Sequence, residues 1–458
     1  MRVATVVARR YSVGNSLFWE VRVAMRISIR CLWSITFCLI VLWSAQTTWA
    51  QNRTGAKGAK TGASTAKDPV EASHLEHSLS GEELEALTGK TFDLLLKNGK
   101  KEAGCTIKDF LCSKQLPDRF RTIVVTLSDG KKTRKIQSEQ VFQLEQEGKV
   151  YTVAYLPTQK YHVLIDVAKR DAAIAAKLES EGNEIWAAIP DAEQEKYTAE
   201  ERAFAEQVKT HFTALNMQSV ETKFFIFVSD MPPAQLSPYL KQLDTMCDAL
   251  GQAFGFPPGH NVWRGKAVIV AFVKEESFVE FEKKFMEHTP NLMTTQGLCH
   301  QLGEGRVVVS AYRGNSPEYF GSLLVHETAH GYVHRYKSTA DIPSWFNEGI
   351  SDWIAALAVP SDKSIAYAQR QALVRLQQNG SLGGNFFTSE QIQPWQYGVA
   401  SSMVEMLVKI SPDQFRLFFN GIKEGLTWED SLMRAYGMTP EDLTSAYGRA
   451  VGLPELMP

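Results

Sequence analysis

The first regular pattern of apolar and polar positions predicts a small β-rich module over residues 80–167. Short apolar runs alternate there with turn-forming pairs such as Asn98-Gly99 and Asp129-Gly130. Asn-Gly and Asp-Gly are strong short-range signals for a β-hairpin. We therefore expect a small barrel or sandwich of five strands, with the sequences TFDLLL, RTIVVTLS, VFQLE, KVYTVAYL and KYHVLID.

The pattern then becomes helical, and afterwards strands and helices alternate. Residues 168–220 are rich in Ala, Glu and Lys, which predicts a helical connector. Beyond it we expect a strand FFIFVS, a helix at about 233–254, a strand AVIVAFV, a helix at about 275–287 and a strand RVVVSAY. The chain after Ser316 has a helical pattern throughout. The predicted fold class is therefore α+β, with a small sheet and a helical half over residues 221–458, preceded by the all-β module.

The N-terminus has the layout of a secretory signal peptide over residues 1–50. Basic residues ending at Arg30 precede the uncharged run CLWSITFCLIVLWSA, and Ala50 is the expected cleavage position. Translation from Met25 would give a signal of ordinary length. The alternative is an uncleaved membrane anchor at about 31–50, because about 20 apolar residues can span a bilayer. In either case we expect the body to be exported, as a periplasmic, secreted or cell-surface protein.

Export bears on how the remaining cysteines are interpreted. An even number of cysteines in an oxidising compartment permits two disulfides. The simplest pairing is Cys105 with Cys112 and Cys247 with Cys299. Four buried thiols are the alternative.

Composition excludes several classes of protein. Of the 458 residues, 44% are hydrophobic, which is ordinary for a globular protein and excludes a fully disordered chain. The 49 Lys and Arg residues nearly balance the 51 Asp and Glu residues, and the formal net charge of −2 argues against a nucleic-acid partner bound through its phosphates. No glycine pattern for a dinucleotide or phosphate is present, so no organic cofactor is expected. Residues 51–79 begin with a small, polar, low-complexity stretch and predict a flexible tether.

The candidate chemistry begins with the pentapeptide HETAH in the segment GNSPEYFGSLLVHETAHGYVHRY. Ser316 and Pro317 are typical of the first positions of a helix. On such a helix His326 and His330 are about 40° apart around the axis and about 6 Å apart along it. Both imidazoles can therefore bind one metal ion, and Glu327 can reach a water bound to that ion.

A second motif, PSWFNEGISDW, follows the first after a short interval and offers a third ligand. A catalytic zinc needs three protein ligands and an open position for water. Glu348 follows a predicted helix start at Pro343 and Ser344, and it is the candidate third ligand. Asp352 lies one turn further along and can accept the other ring N–H of a zinc-bound histidine, which would orient that ring.

Together these motifs resemble those of the thermolysin-like gluzincins of the peptidase MA clan. The shared pattern is H-E-x-x-H followed by N-E-x-x-S-D, with Asn347, Glu348, Ser351 and Asp352 in place. The resemblance implies a two-lobed catalytic domain with a small mixed sheet and a helical lobe. It also implies an edge strand that aligns an extended peptide, for which RVVVSAY is the candidate. The β-rich module lies outside the resemblance.

The resemblance also implies a role for each site residue. One Zn²⁺ per chain would be held by His326, His330 and Glu348. Glu327 would be the general base, and Asp352 would contact the ring of His326. Trp345 and Phe346, next to Glu348, are expected to pack in the core.

Two other ligand sets are excluded. His334 lies about 12 Å along the helix from His326, too far for two ligands that each lie about 2.1 Å from one zinc. We expect His334 to face solvent or to lie close to the ligands. The metzincin pattern requires Gly and His at positions where this chain has Val333 and Tyr336.

A further group is expected to stabilise the charge that develops on the substrate carbonyl oxygen. Tyr397, in PWQYGVASSMVEML, is the candidate because it follows the ligand helices and precedes an apolar helix. Tyr312, Tyr332 and Tyr336 are the alternatives.

These residues predict an exported single-zinc metallopeptidase acting on peptide or protein substrates, with membrane contact only if the signal is uncleaved. The alternative from another class is a non-catalytic cell-surface scaffold that retains the fold. A third possibility keeps the zinc but hydrolyses another amide. The β-rich module is open to three interpretations: a propeptide, a substrate-docking domain or a wall anchor.

Overall fold

A computed structural model of the protein describes the strand Ala4–Val7 and residues 68–458, apart from 129, 131, 157, 188, 258 and 292–294. Apart from that strand, the predicted signal peptide, its alternative start at Met25 and the anchor at about 31–50 lie outside the described residues. The first part of the predicted tether, residues 51–67, also lies outside them. Residues 68–458 belong to one compact unit.

The β-rich module is a strongly curved antiparallel sheet of seven strands. Its spatial order is β3-β2-β6-β7-β8-β4-β5, and an additional pairing between β3 and β4 closes the sheet on itself. The strands are β2 (Thr91–Leu96), β3 (Lys101–Cys112), β4 (Phe120–Thr126), β5 (Thr133–Gln137), β6 (Val141–Gln146), β7 (Lys149–Leu156) and β8 (Tyr161–Asp166). The closed sheet corresponds to the barrel, one of the two forms expected from the sequence, but it has seven strands instead of five.

Alternation of side chains explains why this sheet forms. Phe92, Leu94 and Leu96 on β2 are buried, while the residues between them are more exposed, as expected of a strand with one face on a core. Gly99 follows β2 with a positive φ of 81°, a conformation that glycine adopts without strain. The five predicted strands correspond to β2, β4, β6, β7 and β8. β3 and β5 were not predicted, because charged residues interrupt their alternation.

The second sheet is mixed and has six strands in the order β1-β12-β13-β11-β10-β9. β10, β11 and β13 run parallel, whereas β1, β12 and β9 are antiparallel to their neighbours. The strands are β1 (Ala4–Val7), β9 (Gln218–Glu221), β10 (Phe225–Ser229), β11 (Ala267–Phe272), β12 (Gly297–Leu302) and β13 (Arg306–Tyr312). The segment RVVVSAY is thus an interior strand, and its prediction as the edge strand was wrong. β12, whose sequence GLCHQL has no β-branched residue, lies between it and β1.

Some helices of the described chain cover both faces of this sheet and others form the helical half, while the first three contact strands of the β-rich module. They are α1 (Pro69–Glu76), α2 (Gly81–Glu85), α3 (Val167–Ser180), α4 (Asp191–His211), α5 (Pro233–Phe254), α6 (Glu275–Phe285), α7 (Pro317–Arg335), α8 (Ser344–Ala358), α9 (Ser364–Asn379), α10 (Gln396–Ile410), α11 (Pro412–Lys423), α12 (Trp428–Tyr436) and α13 (Pro440–Ala450). Two short 3₁₀ turns lie at Ser138–Gln140 and Gly303–Gly305. The α+β class is therefore confirmed.

Alternate residues of the sheet strands face two different cores. Ile226 and Val268 pack with α4 and α6 on one face. Phe227 and Ile269 pack with α5, α7 and the helical half on the other face. The interior strands are therefore apolar on both sides, which is why AVIVAFV and RVVVSAY read as continuous apolar runs. The metal-ligand motif lies on α7, against the second face.

Two segments differ from the predicted domain boundaries. Residues 69–76, predicted as tether, form helix α1, which Asp68 caps by accepting hydrogen bonds from two main-chain N–H groups. The carboxylate of Glu71 on α1 accepts hydrogen bonds from Thr158 and Gln159 of the module. Helix α4, predicted as part of a connector, packs on the mixed sheet instead. Long-range packing decided both outcomes.

The four cysteines of the described chain are thiols. The predicted pairing of Cys105 with Cys112 was wrong, because both lie on β3 and seven residues of strand separate their Cα atoms by about 20 Å. A disulfide requires a separation below about 7 Å. Cys247 on α5 and Cys299 on β12 are also buried and unpaired, so the alternative of free thiols holds.

Among the described helices, none combines the length and the apolar run needed to cross a bilayer.

Candidate metal centre

Helix α7 holds the first motif inside the core. The Ser316 hydroxyl accepts a hydrogen bond from the Tyr319 N–H, and Pro317 occupies the first turn, so the helix begins where the sequence predicts. Nearly every residue of α7 from Phe320 onwards is buried. His326, Glu327 and the other residues of the motif are therefore removed from bulk water. A buried polar motif of this kind requires partners that compensate its desolvation.

Helix α8 holds the second motif and packs against both α7 and α10. Close approach to α10 depends on Gly349, because a Cβ at that position would lie 2.7 Å from the main-chain oxygen of Ala400. Trp345 and Phe346 pack in aromatic clusters, as expected. Glu348 is thereby held in the second turn of α8.

Three ligand atoms from the two helices converge on one point. The Nε2 atoms of His326 and His330 lie 3.1 Å apart. The Oε2 atom of Glu348 lies 3.3 Å from the first and 3.5 Å from the second. Ligands about 2.1 Å from a tetrahedral zinc lie roughly 3.4 Å from one another. The triangle therefore has the dimensions of one face of a zinc coordination tetrahedron.

This cluster is the one group of three His, Cys, Asp or Glu residues in the described chain whose ligand atoms could share a metal ion. All three residues are buried, and Glu348 Oε2 accepts no hydrogen bond from the described residues. A buried carboxylate oxygen without a donor is costly unless a cation compensates it. The donor set of two imidazoles and one carboxylate is one that zinc accepts.

Each imidazole is oriented by groups at its other nitrogen. Asp352 Oδ1 lies 2.8 Å from His326 Nδ1. Asn347 Oδ1 and Ser351 Oγ each lie 3.1 Å from His330 Nδ1. The Ser351 hydroxyl donates to the main-chain oxygen of Asn347, so its own oxygen is left to accept from the ring. These contacts favour a proton on each Nδ1 and leave each Nε2 lone pair directed at the centre.

Electrostatics at the centre favour a cation. Burial by itself would raise the pKa of Glu348, but the neighbouring imidazoles of His330 and His326 outweigh it and hold that pKa at about 2. Burial would lower the pKa of His326, but the carboxylates of Asp352 and Glu348 outweigh it and raise that pKa well above its ordinary value. The carboxylates thus stabilise positive charge at this position, as they would stabilise a divalent ion.

Glu327 lies beside the cluster and has no partner of its own. Its side chain is fully buried, and neither carboxylate oxygen has a hydrogen-bond partner in the described chain. Burial raises the pKa of Glu327, and the imidazoles of His326 and His330 partly oppose this shift. A carboxylate in such an environment is suited to accept and release a proton.

Gly297 of the sheet is a functional neighbour that the sequence analysis missed. A Cβ at this position would lie 3.1 Å from Cγ of Glu327 and 3.2 Å from Cγ of Leu323. Strand β12 can therefore approach α7 closely only because residue 297 has no side chain. A glycine at the first position of a short strand without a regular apolar pattern was the available signal.

The tyrosine candidates lie in different surroundings. Tyr397 is buried in the first turn of α10, the helix that packs on α8, and its role stays a prediction. Tyr332 packs against Phe254 and Trp263, and the Tyr336 hydroxyl donates to the main-chain oxygen of Phe254. Tyr332 and Tyr336 are thus core residues.

Tyr312 and His334 complete the list of candidates. Tyr312 ends β13 and packs against Phe278. The His334 ring packs edge-on against Trp186, with 5.5 Å between ring centroids. Burial lowers the pKa of His334 to about 4. His334 is half-buried, with Trp186 from the predicted connector against one side of its ring, so the expectation that it faces solvent or lies near the ligands stays a prediction.

Neither models of known protein families nor curated proteins show a match to this sequence.

Proposed function

We propose that the protein is an exported, zinc-dependent metallopeptidase of the gluzincin type. The observation that supports it most strongly is the buried triangle of His326, His330 and Glu348 with the unpartnered carboxylate of Glu327 beside it. A purely structural zinc site would be closed by a fourth protein ligand. Among the described residues no fourth His, Cys, Asp or Glu joins the three, which would leave the fourth position for water or substrate.

The residues divide the chemistry between them. Bound zinc would lower the pKa of a coordinated water and polarise the peptide carbonyl. Glu327 would take a proton from the attacking water and deliver it to the leaving amine as the C–N bond breaks. Asp352, Asn347 and Ser351 would keep the imidazoles in the correct tautomer throughout. Tyr397 is the candidate donor to the carbonyl oxygen.

The thermolysin-like assignment is supported by how the motif residues are used. In N-E-x-x-S-D, Asn347, Ser351 and Asp352 each contact the outward nitrogen of a histidine of the cluster, while Glu348 joins the cluster itself. Each named residue of the motif thus contacts the cluster or belongs to it, which supports the assignment.

Strand β12 is the candidate for aligning an extended peptide. It lies next to Glu327 through Gly297, and its outer edge pairs with β1. β1 belongs to the predicted signal peptide. Cleavage after Ala50 would remove β1 and leave the main-chain groups of that edge available for an added strand. The proposed substrate is therefore a peptide or an unfolded protein segment.

Metal content tests this proposal directly. Purified protein should retain about one zinc per chain after dialysis, measured by mass spectrometry. Glu348→Gln should retain no more than about a tenth of that amount, because one of three ligands loses its charge. Glu282→Gln, the same change at a buried glutamate outside the cluster, is the matched control and should retain the metal. If the wild-type protein is folded but takes up no zinc on titration, the metallopeptidase proposal is contradicted and the alternative of a non-catalytic scaffold is supported.

A further inference from the structure

The loop between α7 and α8, residues 336–343, joins the helix that carries the histidines to the helix that carries Glu348. Together with the packing of α8 against α7 and α10, this loop helps to set where Glu348 lies relative to the histidines. The loop contains Lys337 with a positive φ of 57°, a conformation that non-glycine residues adopt at a cost. Contacts from elsewhere must hold this conformation.

A segment of the N-terminal half makes those contacts. We call residues 183–186 the clamp segment. The Trp186 N–H donates to the main-chain oxygen of Lys337 at 2.8 Å. The Thr339 N–H donates to the main-chain oxygen of Glu184 at 2.8 Å, and the Glu184 N–H donates to the Thr339 hydroxyl at 2.9 Å. Clamp segment and loop thus meet in an isolated antiparallel bridge between Ile185 and Ser338.

The Trp186 side chain extends the same contact to the end of α7. Its indole N–H donates to the main-chain oxygen of His334 at 2.8 Å. That oxygen is among the last carbonyl groups of the helix, which have no partner within it. The guanidinium carbon of Arg335 lies 4.4 Å from the centroid of the Trp186 ring. One side chain therefore covers the end of the helix that carries both histidines.

The opposite side of the loop is held by the helical half. The Nζ atom of Lys423, at the end of α11, donates to the main-chain oxygen of Ala340 at 2.7 Å. The Ser338 hydroxyl donates to the main-chain oxygen of Lys423. The loop is thus fixed between α11 and the clamp segment, and the clamp segment is the part that comes from outside the helical half.

We propose that the clamp segment, and Trp186 above all, positions the metal ligands. It holds the loop so that Glu348 meets His326 and His330, and it thereby raises the affinity for the metal. This inference rests on the zinc centre of the proposed function. It also bears on the interpretation of the N-terminal half: the clamp segment itself is a permanent part of the working protein, so a discarded propeptide would have to end before residue 183.

The experiment compares zinc affinity in variants of the full chain, by competition with a chelating dye. Trp186→Ala should weaken zinc binding on the order of tenfold, the effect of about 1.4 kcal/mol of lost positioning. Its Co²⁺-loaded form should show an altered visible absorption spectrum, since that spectrum reports ligand geometry. Trp186→Phe keeps an aromatic ring beneath Arg335 but loses the indole N–H. Its zinc affinity should lie between that of the wild type and that of Trp186→Ala.

Phe204→Ala is the matched control. Its ring also lies beneath a guanidinium, 4.3 Å from Arg306, but on α4 and away from the loop. It should lose thermal stability without losing zinc affinity. If Trp186→Ala has the zinc affinity and the Co²⁺ spectrum of the wild type, the inference is overturned and the proposed function is unaffected. A wild-type protein without zinc would instead overturn the proposed function.

A milder variant covers the case in which Trp186→Ala does not fold. Thr339→Val removes only the hydroxyl that accepts from the Glu184 N–H. Combined with Trp186→Phe, it should weaken zinc binding by more than either change alone. A folded double variant with wild-type zinc affinity would contradict the positioning role.

Discussion

Two carboxylates contact the His326 imidazole at its two nitrogens. Asp352 lies 2.8 Å from Nδ1, and Glu348 lies 3.3 Å from Nε2. The two contacts have different consequences. Asp352 fixes the tautomer and the plane of the ring, whereas Glu348 shares with Nε2 the position that a metal would occupy. Glu348 is therefore the candidate metal ligand, and Asp352 is the residue that orients the His326 ring.

Replacement of Glu327 by Gln should separate metal binding from catalysis. Glu327 does not belong to the ligand triangle, so the variant should keep its zinc. It should lose peptide hydrolysis by a factor on the order of 10² to 10⁴, the usual contribution of a general base. Cleavage of a diverse peptide library, with zinc content measured on the same samples, provides the test. Full activity in the variant would contradict the assigned mechanism.

His330→Ala is the counterpart at a ligand position. Because the imidazole supplies one of three metal-binding atoms, this variant should lose both zinc and hydrolysis. The pair of variants therefore distinguishes a base from a ligand, although both residues lie on the same turn of α7.

At the scale of elements, the close contact between β12 and α7 determines the position of Glu327. Gly297→Val would place side-chain atoms against Cγ of Glu327, only 3.1 Å from where the new Cβ would lie. We expect the rate of hydrolysis to fall at least tenfold, since a displacement of about 1 Å at a reacting group can lower the rate by that factor or more. Zinc content should change little, because the three atoms nearest to the new Cβ belong to Glu327 and Leu323 and none belongs to a ligand.

Gly303→Val provides the control for that substitution. Gly303 lies in the turn between β12 and β13, and a Cβ there would meet no atom within 4 Å. Hydrolysis and thermal stability should both stay close to those of the wild type. Equal effects at the two positions would show that valine harms this hairpin generally, and that Gly297 has no particular relation to Glu327.

At the scale of the whole molecule, Lys423 links the helical half to the loop between the ligand helices. Burial lowers the pKa of Lys423 to about 7, and the charge of Asp341 opposes this shift only in part. An unfolded lysine has a pKa of about 10. Between these values the unfolded chain binds a proton that the folded protein does not, so the contribution of Lys423 to stability rises with pH.

Urea unfolding at several pH values tests this coupling. From pH 7 to pH 9 the free energy of unfolding of the wild type should rise by about 2 kcal/mol relative to that of Lys423→Met. The exposed Lys409 is the control: the difference between wild type and Lys409→Met should stay flat over this range. A flat difference for Lys423→Met as well would mean that burial does not lower the pKa of this amine in the folded protein.

Much of this fold could be predicted where apolar spacing is regular. The helix expected at about 233–254 is α5, Pro233–Phe254, and the continuous apolar runs became interior strands. β12 and β3 were missed because their sequences mix small, polar and charged residues. These strands form through pairing with neighbours that are distant in the chain, and such pairing leaves no periodic pattern within the strand itself.

The sequence by itself determined which donor groups could meet at the centre. The spacing of His326 and His330 is a property of any α-helix, and the residue types of Glu327 and Glu348 supply carboxylates beside the two imidazoles. These features are local, so they can be read from a short stretch of chain.

Only the tertiary structure decided how that centre is assembled. Gly297 approaches Glu327 from a strand thirty residues earlier in the chain, and Trp186 holds the ligand loop from the N-terminal half. The structure also left the cysteines as thiols and turned residues 69–76 into a helix between two parts of the molecule. The physical reason is the same in each case: these outcomes depend on contacts between residues far apart in sequence, and local propensity contains no information about them.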